Sequence, residues 1–233
     1  NENAVLRLAG ALQRLERAGH LPIHITPPVE AMLAAMSKAL PAPMGALVGL
    51  MRNPALAGIL LKRLPDEQRG LFTAFLSNSV SATMLKAGAK HNVIPSSAEA
   101  SLDCRLLPGQ TPEDGMREIH QVMGAEIELE PLITSSGASA PLGTPLYQIM
   151  EKAIRRMDPG AGIMPMMLPG ATDASQYTRA GIKVYGFTPG ILPPDLLITR
   201  LAHGHDERLP VSTIRTGLPA LWEVIGEFCG RVI

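Results

Sequence analysis

The chain has 233 residues, 46% of them hydrophobic, which is enough apolar material for a sizeable core and excludes a disordered or fibrous protein. Lysine plus arginine and aspartate plus glutamate each number 21, and no dense basic run is present to neutralise a row of phosphates, so nucleic acid is not an expected partner. The longest apolar runs, GALVGLM and AGILL, fall well short of the roughly 20 residues that a membrane-spanning helix needs. Cellular location stays open.

In chain order, Val5, Leu8, Leu12 and Leu15 recur at helical spacing, with Asn3 placed to cap the start and Gly19 to end the turn, which predicts a helix over 3–18. From Pro28 to about Asn78 an Ala-, Leu- and Met-rich stretch is broken at PAP, NP and PDE, predicting three or four short helices. Its methionines read as fillers of irregular core gaps. Strand-like alternation follows in SVSATMLKAG, SAEASLDCRLL and AEIELEPLI, with a helix opened by Thr111 and Pro112 between the last two. Strand, strand, helix, strand predicts a small antiparallel layer on which the first helix packs.

After a boundary at Thr134 to Pro141, rich in Ser, Gly and Ala, the pattern is a helix (TPLYQIMEKAIRRM), a strand (AGIMPMML), a glycine-bearing loop (PGATDASQY), a strand (IKVYGF) and a final helix (STIRTGLPALWEVIGEFC). This alternation belongs to an α/β layer, part of a larger sheet with helices on its faces. Cys104 and Cys229, too few for a disulfide framework, read as buried free thiols.

Three stretches carry chemistry, and each has two readings. In HGHDER, His203 and His205 could be metal ligands with the carboxylates of Asp206 and Glu207 orienting an imidazole, or the stretch could be a solvated loop. A closed zinc site would have to recruit His20, His24, His91 or His120 from the other domain. In PGATDAS, the backbone before a short helix could face an anion, or Thr172 or Asp173 could simply cap that helix. Arg105, near the end of its strand, could fork onto a carboxylate or lie along the sheet.

Taken together and in this order, NVIP with the strand ending DCRLLPG, the PGATD loop and HGHDER before a final helix resemble the di-zinc peptidase and deacylase family. That family includes aminoacylase, carboxypeptidase S, acetylornithine deacetylase and succinyl-diaminopimelate desuccinylase; the opening NAVLRLA and the helical insertion resemble its carboxypeptidase S-like branch in particular.

The resemblance implies an α+β lid or dimerisation domain at 1–134, lacking its first strand, and the C-terminal part of a zinc-peptidase catalytic domain at 135–233. It assigns the last metal ligand to His203, with Asp206 and Glu207 completing the motif. The other ligands, the general base and an oxyanion-binding histidine would all precede Asn1, leaving no catalytic residue in this chain. Asn92 and Arg105 match lid positions that meet substrate, sometimes across a dimer, and Gly170, Ala171 and Thr172 match a loop near the substrate's carboxylate. The family often carries arginine where Ser175 stands here, and Arg179 is the candidate substitute. The intact enzyme would hold two zinc ions, act on N-acyl amino acids or small peptides and form a homodimer through the lid. This chain alone is expected to bind no stoichiometric zinc and to hydrolyse nothing. The alternative is a stand-alone, non-catalytic dimerisation module.

Overall fold

The computed structural model describes residues 3–134, 137–168, 170, 172–196, 201 and 204–230. The chain divides into two units, Asn1–Ser139 with Met164–Ile182, and Ala140–Ile163 with Lys183–Ile233.

In the first unit, Asn3 accepts hydrogen bonds from the Val5 and Leu6 amides, and Gly19 closes helix α1 (Ala4–Ala18) in the left-handed region at φ 72°. The insertion forms four short helices, each boundary falling at a proline break: α2 (Pro27–Ala39), α3 (Met44–Leu50), α4 (Pro54–Leu61) and α5 (Asp66–Leu76). They enclose one core, built on Val29, Met32, Leu33, Met51, Leu61 and Leu76, with Met36 and Met167 packed against it. The methionines here fill space among helices.

Next, β1 (Ser79–Ala87) and β2 (Ala98–Arg105) pair antiparallel from Ser79–Arg105 to Ala87–Ala98, with an irregularity between Ala82 and Met84. Helix α6 (Pro112–Met123) follows, opened by a reciprocal capping box between Thr111 and Asp114. A second core joins α1, α6 and the hairpin base through Ala11, Leu21, Ile119 and Met123, with Val80, Leu102, Ile127 and Leu129 against it. Beyond the irregularity the hairpin leaves this core, so that Met84 and Leu85 are both exposed. The short α8 (Ala174–Arg179) also belongs to this unit.

The second unit is built on α7 (Pro145–Met157), capped by Thr144, and α9 (Val211–Phe228). Met150 and Ala153 of α7 meet Ala220 and Val224 of α9, and Tyr147, Tyr185 and Phe187 close the edge of that contact. Lys152 and Arg156 pair with Glu227 and Glu223 across the two helices.

The architecture is a mixture of helices with a small antiparallel sheet, as the pattern predicts, but the sheet is smaller. Among the described residues it has two strands. The segments 125–133, 161–168 and 182–187, predicted as strands, form none. In each, apolar side chains still reach a core: Ile127 and Leu129, Met167, and Tyr185 with Phe187. Alternation specifies which side chains turn inward, whereas a strand also needs a neighbouring backbone to receive its hydrogen bonds. A second correction concerns the cysteines: Cys104 and Cys229 are both free, as read, but both are exposed. Cys104 shares the sheet face of Leu102 and of its partner Val80 but stands one residue before the end of β2, and Cys229 just past the end of α9, so both lie at the margins of their elements.

Candidate functional site

The base of the hairpin holds the best-organised polar group among the described residues. Asn78, 1% exposed, accepts a hydrogen bond from the Leu107 amide at 2.8 Å and donates through Nδ2 to Glu118 at 2.9 Å. Glu118, 5% exposed on α6, receives its other contact from His24 Nε2 at 2.5 Å. Four separated segments are thereby tied together: the linker between α1 and α2, the entry to β1, the exit of β2 and helix α6. A buried carboxylate is tolerated only when its oxygens are satisfied, and here both are. Sequence reading misses Asn78 and Glu118, because an Asn before a strand and a Glu inside an amphipathic helix carry no spacing signal; their meeting depends on the fold.

Beside this group, His24, Thr26, Pro54, Pro108 and Gln110 line an open cleft of about 420 Å3. Thr26 is 7% exposed, and its hydroxyl has no hydrogen-bond partner among the described residues.

The residues singled out from the sequence lie apart from that group. Arg105 ends β2 opposite Ser79 and is exposed, pairing with Asp103 at 3.3 Å. Asn92 is exposed in the turn at the far end of the hairpin. Seven residue steps separate Ala98 from Arg105, about 24 Å of strand, and Asn92 lies in the turn beyond Ala98. Gly170 is exposed, and Thr172 accepts a hydrogen bond from the Ala174 amide at 3.2 Å, the local cap expected ahead of α8. Arg179 is exposed and pairs with Gln176. Ala171 and His203 lie outside the described residues. In the second unit His205, Asp206 and Glu207 are exposed in a turn, and Asp206 pairs with Arg208.

The remaining histidines are engaged locally. His20 Nδ1 is 2.7 Å from the Leu21 carbonyl, His120 Nε2 is 2.8 Å from the Ile127 carbonyl, and His91 is exposed. Among the described residues no group of three or more His, Cys, Asp or Glu side chains converges as a metal ion requires, so these residues do not fit a zinc site. No described helix is long and apolar enough to cross a membrane.

Residues 1–129, more than half of the chain, match the family model of the M20 peptidase dimerisation domain. The chain belongs to the M20 peptidase family. Curated M20 relatives extend the match beyond that domain. Human N-fatty-acyl-amino acid synthase/hydrolase PM20D1 is 26% identical over 232 residues, covering 96% of this chain and 44% of the relative. Human aminoacylase-1 is 31% identical over 164 residues, covering 63% and 37%. The putative succinyl-diaminopimelate desuccinylase DapE of Mycobacterium tuberculosis is 28% identical over 148 residues, covering 63% and 38%. This M20 chain thus spans less than half the length of these three relatives, which are named as an N-fatty-acyl-amino acid synthase/hydrolase, an aminoacylase and a putative desuccinylase.

Proposed function

We propose that this chain is the lid-bearing C-terminal part of a two-zinc M20 amidohydrolase that cleaves the amide bond of N-acyl amino acids or small peptides and works as a homodimer. The observation that carries the reading is the alignment with the human N-fatty-acyl-amino acid synthase/hydrolase along 96% of this chain, continuing well past the dimerisation domain at 1–129. A stand-alone dimerisation module would have no reason to keep that continuation.

In this reading His203 contributes one metal ligand, and Asp206 and Glu207 orient it. Asn92 and Arg105 meet substrate from the lid, from the turn and from the base of one hairpin, an arrangement that can serve the active site of the partner subunit in a dimer. Gly170, Ala171 and Thr172 border the substrate's carboxylate, with Arg179 as its cationic partner in place of the residue that Ser175 replaces. A single imidazole cannot hold zinc tightly, so the 233 residues alone bind no stoichiometric zinc and are inactive.

Intact mass in the native host tests the fragment reading. The expected species is about twice the 24.8 kDa of this chain or larger, in keeping with the 44% coverage of the relative, and it carries zinc by elemental analysis. A native species of about 24.8 kDa would replace the enzyme by a non-catalytic dimerisation module. Tight stoichiometric zinc on the 233-residue chain would overturn the assignment of the other ligands to residues outside it. In the intact enzyme, Arg179→Ala is expected to raise KM for N-acyl amino acids; an unchanged KM removes Arg179 from the substrate site.

A further inference from the structure

The two longest apolar runs, GALVGLM and AGILL, take no part in the function proposed above. They become α3 and α4 of the helical insertion, and both helices are apolar on their outer sides as well as their inner ones. Gly45 and Val48 of α3 turn inward, where a methyl group on Gly45 would run into the Ser37 and Leu40 carbonyls. On α4, Ala57 and Leu61 are buried, and at about 100° per residue Ile59 stands on the reverse side with Leu56 beside it. Leu50 is 48% exposed and Ile59 54%, and Leu40, Met44, Leu47 and Leu56 are open to solvent with them. A helix that is apolar all round is normally covered all round, and exposed apolar surface of this kind marks a contact.

The chemistry of the stretch narrows what that contact is. Between Lys38 and Lys62 the only polar side chains are Arg52 and Asn53, and both are engaged: Arg52 pairs with Glu30, and Asn53 caps α4. No side-chain hydrogen-bonding group is left over to orient a protein partner, whose interface carries about one hydrogen bond per 100–200 Å2; lipid hydrocarbon needs none. Cations stand at both ends, Lys38 in the last turn of α2 and Lys62 with Arg63 after α4, all exposed. Asp66 and Glu67 follow, but Asp66 is tied to Arg69, and residues 27–78 hold five cations against three anions. An apolar face rimmed by basic residues has the composition of a segment lying among the headgroups of an anionic bilayer. With seven and eight residues, α3 and α4 are about 10–12 Å long against a hydrocarbon core of about 30 Å, so they can rest in the interface and not cross it.

We propose that the outer face of α3 and α4 docks on an anionic lipid surface, with Leu47, Leu50, Leu56 and Ile59 entering the acyl boundary and Lys38, Lys62 and Arg63 meeting the headgroup phosphates. The proposal is independent of the hydrolase reading. A second copy of this chain and the remainder of the polypeptide are the rival occupants.

Flotation of the complete native polypeptide with vesicles tests it, using phosphatidylcholine mixed with phosphatidylglycerol against phosphatidylcholine alone. The mixed vesicles are expected to carry several-fold more protein, and added salt to reduce that excess. L50D/I59D, two changes at half-exposed positions, is expected to lower flotation several-fold while circular dichroism holds, and K62E/R63E to abolish the preference for phosphatidylglycerol. Should L50D/I59D fail to fold, L50S/I59S is the second probe. Protein that floats with neither kind of vesicle overturns the proposal, as does flotation that both sets of variants leave unchanged. A fall in dimer mass of L50D/I59D without vesicles overturns it in favour of a second copy. In a background with Cys104 and Cys229 replaced by serine, L50C that reacts with a maleimide far more slowly in the complete polypeptide than in the 233-residue chain overturns it in favour of the rest of the polypeptide. Flotation does not read hydrolysis, so a protein that floats as expected yet hydrolyses nothing keeps this proposal and removes only the enzymatic one.

Discussion

Asn78 and Glu118 show what single residues contribute in this protein. Asn78 satisfies a backbone amide and one oxygen of a carboxylate that are both withdrawn from water, so Asn78→Ala leaves the Leu107 amide without its partner and Glu118 with His24 alone, and is expected to cost about 2–4 kcal/mol of unfolding free energy. Urea denaturation followed by circular dichroism measures it, and a loss below about 0.5 kcal/mol, the range of a neutral surface change, would mean that the group is not a structural tie. Cys104 offers a chemical test at the same scale. Its residue is exposed by area, yet withdrawal of the thiol from water, and then the neighbouring Asp103 carboxylate, hold its pKa above the ordinary cysteine value. Less thiolate is then present at neutral pH, and labelling by a disulfide reagent at pH 7.5 is expected to be slower than that of free cysteine, with the two rates converging as pH rises. Equal rates at pH 7.5 would contradict it.

At the scale of elements, the helices follow local chemistry closely and the strands do not. Each helix start from α1 to α7 can be traced to a cap or a proline in the sequence: Asn3, Thr26 with Pro27, Pro43, Asn53 with Pro54, Pro65, Thr111 with Pro112, and Thr144 with Pro145. The exception is informative. Gly217, inside α9, looks like a mild weakening of a helix, but a methyl group there would run into the Pro189 carbonyl and the Gly190 backbone. The close passage of the 189–190 loop over α9 is held by Thr213 Oγ1 donating to the Ile191 carbonyl at 2.9 Å and by the Ile191 amide donating to Thr216 at 3.1 Å. Gly217→Ala therefore opposes its favourable helix propensity and is expected to destabilise this unit by about 1–3 kcal/mol. A rise in thermal midpoint would show that the loop simply moves aside.

For the whole molecule, the dimerisation domain and the form of the hairpin bear on assembly. Among the described residues β1 pairs with β2 on one side and has no strand on the other, and its outer half exposes Met84 and Leu85. Such an edge invites pairing with another chain. The 233-residue chain is expected to be a dimer by light scattering, about twice 24.8 kDa, and Leu85→Asp is expected to shift it toward the monomer. A monomer at tens of micromolar, on the order of a weak interface's dissociation constant, would place dimerisation under the control of polypeptide outside these residues.

What the sequence determined by itself was local and chemical: where helices begin, the antiparallel pairing of 79–87 with 98–105, the α+β class, and, through NVIP, PGATD and HGHDER, the family. Caps, proline breaks and side-chain alternation act over a few residues, so they are legible in one dimension. Tertiary structure alone decided the rest. It brought His24, Asn78 and Glu118 together from positions up to 94 apart, set Asn92 and Arg105 at opposite ends of one hairpin, and left 125–133, 161–168 and 182–187 without strands. Each of these depends on a partner distant in the chain, and hydrogen bonding between distant backbones or buried side chains carries no signature in the spacing of either partner.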